Sequence, residues 1–251
     1  MGEQGRRLAV VSGGGTGIGA AVARGLVADG FDVLVVGRRG DVLDAAAREI
    51  SAECGRAGAV VPVVADLTDP GQIPAVVDAV GERAVDAIVN NAGGYLGGPT
   101  GTLDEVAAWW RANLDANVLT AVLLTEALLP ALRRPGGRVV LLSSIAAQRG
   151  GGGPYSAAKA ALHGWAYDLA GQLGPDRITV NVVSPGYVAE TEFFGDRMTP
   201  EGHAKRVAAT LVGRAGVPDD IAAAVRYLVG PSAGYVTGQV LGVNGGSVLG
   251  R

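Results

Sequence analysis

Cysteine and histidine are almost absent from this chain of 251 residues, which contains one cysteine, Cys54, and two histidines. A single cysteine excludes an intramolecular disulfide and fits a reducing compartment. Two histidines far apart in the sequence do not form the cluster of ligands that a metal ion needs. We therefore expect neither a disulfide nor a metal site.

Long hydrophobic runs and a positive net charge are missing as well. The first apolar run, residues 8–11, ends at glycines and is far too short to span a membrane. Residues 1–7 are polar, unlike the start of a secretion signal. The formal net charge is −3, and the arginine pairs at 38–39 and 133–134 form no basic stripe. These absences predict a cytoplasmic protein with no membrane or nucleic-acid partner.

Glycine, by contrast, is abundant, with 41 residues, well above the usual share of about 7%. The glycines separate short apolar, β-branched runs, which are typical of strands buried on both faces of a parallel sheet. These runs lie at residues 8–11, 33–36, 60–64, 85–89, 139–142, 178–183 and 239–243. Helical periodicity fills the intervals, at residues 18–28, 41–52, 73–81, 103–132, 154–173 and 219–228.

This alternation of strands and helices predicts an α/β fold, a single doubly wound Rossmann-type domain over residues 1–251. Seven parallel strands would form the sheet, with helices on both faces. No linker-like stretch divides the chain, and it shows no internal repeat. Pro62 lies inside the third run, and because proline cannot donate to a strand ladder we expect it near a strand end or at a sheet edge.

A glycine-rich turn follows the first predicted strand and opens the first predicted helix. Glycine allows positive φ and lets backbone N–H groups approach a pyrophosphate, while a helix N-terminus adds partial positive charge. The strict GxGxxG pattern is absent, but the position of the turn after strand one predicts nucleotide binding. The predicted contacts are Gly13, Gly15, Thr16, Gly17, Ile18 and Gly19.

The ends of the next predicted strands indicate which dinucleotide binds. Arg38 and Arg39 follow strand two, where arginine accommodates the 2′-phosphate of NADP and a carboxylate would bind the ribose of NAD. NADP(H) is therefore the expected cofactor, and NAD(H) stays possible. Asp66, at the end of strand three, would meet the adenine edge. Further contacts are expected from Leu67, Asn91, Ala92 and Gly93.

Tyr155 and Lys159 lie four residues apart in a stretch with helical periodicity, so their side chains share one helical face. A nearby cation favours the phenolate form of tyrosine, whose ordinary pKa is about 10. Such a phenol can give or take a proton in catalysis. Among 21 cationic residues the lysines are Lys159 and Lys205 alone. Lys159 thus suits a role that arginine does not fill, that of a compact ammonium whose pKa shifts easily.

Together these motifs resemble the short-chain dehydrogenase/reductase family, in its common branch of about this length, over essentially the whole chain. The matching residues are the glycine loop, Asp66, Asn90, Asn91, Ala92, Gly93, Asn117, Ser144, Tyr155, Lys159, Pro185 and Gly186. The resemblance implies a cofactor half at about residues 1–140 and catalytic and substrate elements at about residues 141–251. It also implies a 222-symmetric homotetramer.

The resemblance implies a role for each matching residue. Tyr155 would be the general acid–base, and Lys159 would hold the nicotinamide ribose and lower the Tyr155 pKa. Ser144 would hydrogen-bond the substrate carbonyl, and Asn117 would organise a proton relay through water to Lys159. The remaining implied cofactor contacts are Pro185, Gly186, Val188 and Thr191.

The chain departs from the family pattern in three places. Ser144 and Tyr155 are closer in sequence than in many members. The threonine that often follows Pro-Gly is displaced to Thr191. The glycine loop has Thr16 where many NADP-using members have arginine, which weakens the inference of NADP. Ser143 competes with Ser144 for the serine role, and the second position of the pair fits the family better.

Residues 187–214 form a long connection before the last predicted helix, and we expect this lid to close over the substrate. The predicted substrate contacts, on the lid and the opposite wall, are Tyr95, Leu96, Ile145, Tyr187, Phe193, Phe194 and Met198. Such a pocket favours an apolar or aromatic ketone, although Arg149 or Arg197 could reach a carboxylate. In the alternative interpretation, Phe193 and Phe194 pack permanently into a neighbouring subunit.

The sequence thus predicts an NADP(H)-dependent ketoreductase, which reduces a ketone or oxidises the matching secondary alcohol by hydride transfer. An NAD-dependent dehydrogenase or epimerising enzyme, and a reductase of 3-ketoacyl thioesters, stay open as alternatives. An enoyl reductase usually spaces its tyrosine and lysine differently, and the intact pair speaks against a non-catalytic nucleotide-binding homologue. Apolar residues on the 103–132 helix and in the 235–249 segment suggest burial against other subunits.

Overall fold

A computed structural model describes residues 6–98, 101–193, 195 and 198–250. Its strands are β1 (Leu8–Ser12), β2 (Asp32–Gly37), β3 (Val60–Val64), β4 (Ala87–Asn90), β5 (Arg138–Leu142), β6 (Thr179–Pro185) and β7 (Val240–Val243). They form one sheet in the order β3-β2-β1-β4-β5-β6-β7, and all neighbouring strands are parallel. The predicted α/β fold with a seven-stranded parallel sheet is confirmed.

The helices connect the strands and cover the sheet on both faces. They are α1 (Gly17–Ala28), α2 (Gly40–Glu53), α3 (Pro74–Val80), α4 (Leu103–Leu114), α5 (Thr120–Leu128), α6 (Ala146–Arg149), α7 (Pro154–Leu173), α8 (Pro200–Ala208) and α9 (Pro218–Val229). A π-helical segment, Asp115–Leu119, joins α4 to α5, and short 3₁₀ turns follow α5, α7 and α9.

Two apolar layers flank the sheet because successive strand side chains point to opposite faces. In β1, Ala9 and Val11 pack with α1, α2 and α9 on one face, and Leu8 and Val10 pack with α3, α5 and α7 on the other. Every residue of β1 is buried, which explains its continuous apolar run. Pro62 lies in β3, an edge strand, as its missing N–H donor predicted.

Two helices were not predicted, the four-residue α6 and the longer α8. α8 lies inside the predicted lid, where the sequence indicated no helix before residue 219. Thr199 caps α8, since its hydroxyl accepts a hydrogen bond from the Gly202 N–H at 3.0 Å, and Pro200 suits the first helical turn. None of its nine residues is buried and few are strongly apolar, so hydrophobic periodicity could not reveal it.

The helical stretch Leu103–Ala131 is long and apolar enough to cross a membrane by length and composition alone. Core helices of folded proteins pass the same test. In this fold its α5 part packs on the sheet through Ala121, Leu124 and Leu128, so its apolar character serves the core.

Candidate active site

A cleft of about 930 Å³ lies along the carboxyl ends of the central strands, where ligands bind in open α/β sheets. The glycine turn between β1 and α1 lines one part of it, and Tyr155 and Lys159 of α7 line another. The cleft therefore joins the two motifs that carried the sequence argument. Within the described part of the chain, no group of three or more His, Cys, Asp or Glu side chains could hold a metal ion.

The glycine turn is tight because α1 starts directly against it. Gly13 and Gly17 have positive φ angles of 64° and 52°, which favours glycine at both positions. A Cβ placed on Gly19 would lie 2.0 Å from the Gly13 carbonyl oxygen, so a larger residue would push the helix away from the turn. Gly19 supports the turn from behind and does not line the cleft.

Hydrogen bonds of Ser12, the last residue of β1, and of Asn91, just after β4, join the glycine turn to the end of β4. The Ser12 hydroxyl accepts hydrogen bonds from the backbone N–H groups of Asn91 and Ala92, at 3.0 and 2.9 Å. The Asn91 amide donates to the carbonyl oxygens of Ser12 and Gly13, at 3.0 and 3.2 Å. The Asn91 side chain thus braces the predicted cofactor loop, a contribution that its position after β4 alone did not reveal.

The end of β2 places Arg38 and Arg39 at the cleft. Arg39 Nη2 donates to Glu192 Oε2 at 2.7 Å. Asp66 also lines the cleft, and hydrogen bonds from the N–H and hydroxyl of Thr68 lower the pKa of its carboxyl, with a smaller contribution from the charge of Arg38. The predicted arginine pair is therefore accompanied by carboxylates at the same end of the cleft.

Tyr155 and Lys159 lie in the first two turns of α7, and both are buried, at 7% and 4% exposure. Burial raises the pKa of Tyr155 to about 12, against the opposing effect of a hydrogen bond with Ser144. Burial also lowers the pKa of Lys159 to about 8. Both shifts disfavour the charged form.

The expected lowering of the Tyr155 pKa by Lys159 is therefore not found in the chain alone. The Lys159 ammonium lies 5.8 Å from the Tyr155 ring centroid, and it donates instead to the Leu142 carbonyl oxygen at 2.8 Å. Burial of the phenol is the largest cause, so the pKa of Tyr155 moves upwards.

Asn117 lies in the π-helical segment, behind Gly93; Gly93 lines the cleft and Asn117 itself does not. Its side chain donates to the carbonyl oxygens of Gly94 and Asn113 and accepts from the Gly94 N–H, at 2.9, 3.0 and 3.0 Å. A Cβ placed on Gly93 would lie 2.5 Å from Asn117 Oδ1 and 3.1 Å from Lys159 Nζ. The side chains of Asn117 and Lys159 therefore both lie next to Gly93. The π-helical turn that carries Asn117 is of a kind that occurs often at functional sites.

Ser143 and Ser144 have different partners. Ser144 hydrogen-bonds Tyr155, as its effect on the pKa of that phenol indicates, whereas the Ser143 hydroxyl donates to the Lys159 carbonyl oxygen at 2.9 Å. Ser143 also lies 2.8 Å from His163 Nε2. The geometry therefore favours Ser144 over Ser143 for the substrate, and Ser143 and His163 secure α7 to the end of β5.

The described part of the predicted lid passes over the cleft. The Phe193 and Tyr95 rings flank Tyr155, with ring centroids at 5.7 and 6.0 Å. Thr191 lies beside the glycine turn, since a Cβ on Gly17 would be 3.4 Å from its methyl carbon. Met198 does not line the cleft and lies near Arg206 of α8, 4.0 Å from Nη1. Phe194 and Arg197 lie outside the described residues.

Most predicted site residues line this one cleft. They are Gly13, Gly15, Thr16, Gly17, Ile18, Arg38, Arg39, Asp66, Leu67, Asn91, Ala92, Gly93, Tyr95, Leu96, Ser144, Ile145, Tyr155, Lys159, Pro185, Gly186, Tyr187, Val188, Thr191 and Phe193. Thr68, Glu192 and Arg206 also line it and were not predicted from the sequence. Glu192 follows Thr191 directly, so an assignment of that threonine could have drawn attention to its neighbour.

Comparisons with known proteins place the chain in a family. A family model described as Enoyl-(Acyl carrier protein) reductase matches residues 13–247. A 3-oxoacyl-[acyl-carrier-protein] reductase from Synechocystis sp. is 34% identical over 250 residues, 97% of each chain. A 3alpha-hydroxysteroid dehydrogenase from Mediterraneibacter gnavus is 34% identical over 246 residues, 95% of this chain and 96% of the relative.

A solved structure agrees with these relatives. The structure of an actinorhodin polyketide ketoreductase variant with NADPH has a TM-score of 0.87 and 33% identity, and the match covers 98% of this chain and 99% of that one. The chain therefore belongs to the short-chain dehydrogenase/reductase family of oxidoreductases. The names of its relatives cover acyl-carrier, steroid and polyketide chemistry, so membership leaves the substrate open.

The cleft fits the nicotinamide dinucleotide that this family implies. Its glycine turn presents backbone N–H groups and the start of α1, which suit a pyrophosphate. Arg38 and Arg39 line the cleft after β2, where the adenosine would bind, and Lys159 lies close to Tyr155, where the nicotinamide would bind. Donors for the phosphates and a proton-transfer group thus occupy the two ends of one cleft.

Proposed function

We propose that this protein is an NADP(H)-dependent ketoreductase, which reduces a ketone or oxidises the matching secondary alcohol. One observation carries the proposal: Ser144, Tyr155 and Lys159 meet in the same cleft as the glycine turn. A proton donor, a carbonyl-polarising hydroxyl and a dinucleotide loop are the parts that carbonyl reduction needs.

The proposed chemistry divides between the cofactor and the chain. The nicotinamide ring supplies or accepts hydride at its C4 atom. Tyr155 donates the proton to the carbonyl oxygen, and the Ser144 hydroxyl hydrogen-bonds the same oxygen as negative charge develops there. Lys159, with Asn117 beside it, would bind the ribose and return a proton to Tyr155 through water.

The preference for NADP(H) over NAD(H) rests on Arg38 and Arg39 at the end of β2. Arginine presents a planar fork of donors that matches phosphate geometry. The NADPH in the actinorhodin ketoreductase structure is consistent with this preference. NAD(H) is the alternative cofactor, because the carboxylates beside these arginines reduce the positive charge available to a phosphate.

The substrate is proposed to be an apolar or aromatic ketone. Tyr95 and Phe193 flank Tyr155, and Leu96 and Ile145 also line the cleft, so aromatic and aliphatic groups surround the reacting carbonyl. A 3-ketoacyl thioester is the second candidate, because the Synechocystis relative is named as a reductase of an acyl-carrier substrate.

The wider context is proposed on the same basis. We propose one domain, divided near residue 140 into a cofactor half and a catalytic half, in a cytoplasmic homotetramer. Exposed apolar residues support assembly, including Trp110 on α4, Leu241 on β7 and Tyr235 and Leu249 beside β7.

Tyr155→Phe tests the proposal, with Tyr167→Phe as the control. Tyr167 lies on the same helix but is 54% exposed. Tyr155→Phe should keep the fold and cofactor binding and lose about 10²–10⁴-fold in kcat, measured by NADPH oxidation with ketones and acyl thioesters. Tyr167→Phe should behave as wild type. Near wild-type turnover by folded Tyr155→Phe would rule the mechanism out.

A further inference from the structure

The segment of residues 191–193 crosses the cleft from the glycine turn to the catalytic tyrosine. Thr191 lies beside Gly17, as described above, and the Phe193 ring lies 5.7 Å from the Tyr155 ring. Between them, the Glu192 carboxylate accepts a hydrogen bond from Arg39 at 2.7 Å. The neighbours of Glu192 on both sides in sequence therefore contact the cleft, and Glu192 itself contacts Arg39, which follows β2.

The Glu192 carboxylate binds the Nη2 donor of Arg39, a group that a phosphate would also use. Arginine binds carboxylate and phosphate through the same planar fork of N–H donors. The two side chains are 57% and 61% exposed, and exposed ion pairs contribute little to stability. A bound phosphate could therefore displace Glu192 without large cost to the fold, but it would have to compete with that carboxylate.

Two further carboxylates at this end of the cleft also reduce the positive charge that Arg38 and Arg39 present to a phosphate. Arg38 lies close enough to Asp66 to lower the pKa of its carboxyl. Glu192 and, more weakly, Asp41 raise the pKa of Arg39. Among the described residues, the carboxylates of Asp41, Asp66 and Glu192 thus act on these two guanidinium groups, and Glu192 hydrogen-bonds Arg39 directly.

We propose that Glu192 is a specificity-determining residue that competes with the cofactor 2′-phosphate for Arg39 and so weakens NADP(H) binding relative to NAD(H). The proposal rests on the assignment of Arg39 to the 2′-phosphate under the proposed function. NAD(H) has a hydroxyl in place of that phosphate, so its binding does not require Glu192 to leave.

Isothermal titration calorimetry of the full chain with NADP⁺ and NAD⁺ tests this proposal without substrate. Glu192→Gln should tighten NADP⁺ binding about two- to fivefold, the range of an exposed charge contact, and leave NAD⁺ binding unchanged. Glu190→Gln is the matched control, since it removes the same charge two residues away in the predicted lid. It should leave both affinities near wild type.

Arg39→Gln provides the second arm. It should weaken NADP⁺ binding, and in its background Glu192→Gln should no longer tighten NADP⁺ binding, because the competition needs both residues. An unchanged ratio of the two affinities in Glu192→Gln overturns the proposal, as does an equal gain for NAD⁺. If wild type binds both cofactors equally but Glu192→Gln prefers NADP⁺, the role of Glu192 stands and the NADP(H) preference of the wild type fails.

Discussion

Replacing Lys159 with methionine should stabilise the folded chain at neutral pH while abolishing turnover. Burial lowers the pKa of Lys159 from its ordinary 10.5 to about 8. At about 1.4 kcal/mol for each pKa unit, keeping this ammonium buried costs the fold about 3 kcal/mol at pH 7. The hydrogen bond from Nζ to the Leu142 carbonyl oxygen offsets about 1 kcal/mol. The expected net gain for Lys159→Met is therefore about 2 kcal/mol.

The pH dependence of this gain identifies its cause. The folded pKa of Lys159 is below its unfolded value, so the unfolded chain binds more protons between about pH 8 and pH 10.5 and wild-type stability rises with pH across that window. The advantage of Lys159→Met should therefore shrink to about 1 kcal/mol at pH 9. A gain caused by better apolar packing would be the same at both values.

Urea unfolding without cofactor, at pH 7 and pH 9 and one protein concentration, measures the effect. Lys205→Met is the matched control, since Lys205 is the other lysine of the chain and is exposed on α8. It should change stability little at either pH. The reasoning fails if Lys159→Met is less stable than wild type at pH 7, or if its advantage does not change with pH.

Three further predictions follow from the site and its surroundings. Gly93→Ala should destabilise the unliganded protein by about 1–3 kcal/mol in urea unfolding, because its Cβ would press on Asn117 and Lys159. Gly94→Ala, whose Cβ meets nothing within 4 Å, is its control. Alcohol oxidation needs the Tyr155 phenolate, whose pKa burial raises, so its kcat/KM should rise between pH 7 and pH 10 more steeply than that of ketone reduction. Light scattering should show a tetramer at micromolar concentration, and a monomer would contradict the proposed assembly.

The fold could be predicted because the strands between the two edges of its sheet are largely buried. A strand such as β1 then appears as an unbroken apolar run, and the glycines between runs mark turns. Hydrophobic patterning does not predict α8, because that helix has no buried residue and therefore no apolar stripe. Its existence depends on a threonine cap and on its contacts with the lid, including the 2.8 Å contact between His203 Nδ1 and the Tyr187 hydroxyl.

The site could be predicted in its residue types but not in its pairings. The four-residue spacing of Tyr155 and Lys159 placed both on one helical face, and the structure agrees. That Lys159 donates to Leu142 and that Asn91 braces the glycine turn depend on the tertiary approach of β5 and β4. The pairing of Arg39 with Glu192 joins residues 153 positions apart, a distance over which local patterns carry no information.

The protonation state of the catalytic pair indicates which direction of reaction the chain itself favours. With a pKa of about 12, Tyr155 is a neutral phenol at rest, ready to donate a proton to a carbonyl oxygen as that oxygen gains negative charge. Oxidation would need the opposite state, a buried phenolate, and in the chain alone only the Ser144 hydrogen bond works towards it. Desolvation thus keeps Tyr155 protonated at neutral pH, although the raised pKa also makes the phenol a weaker acid. We therefore expect the chain alone to favour ketone reduction, and alcohol oxidation to require added positive charge or a higher pH.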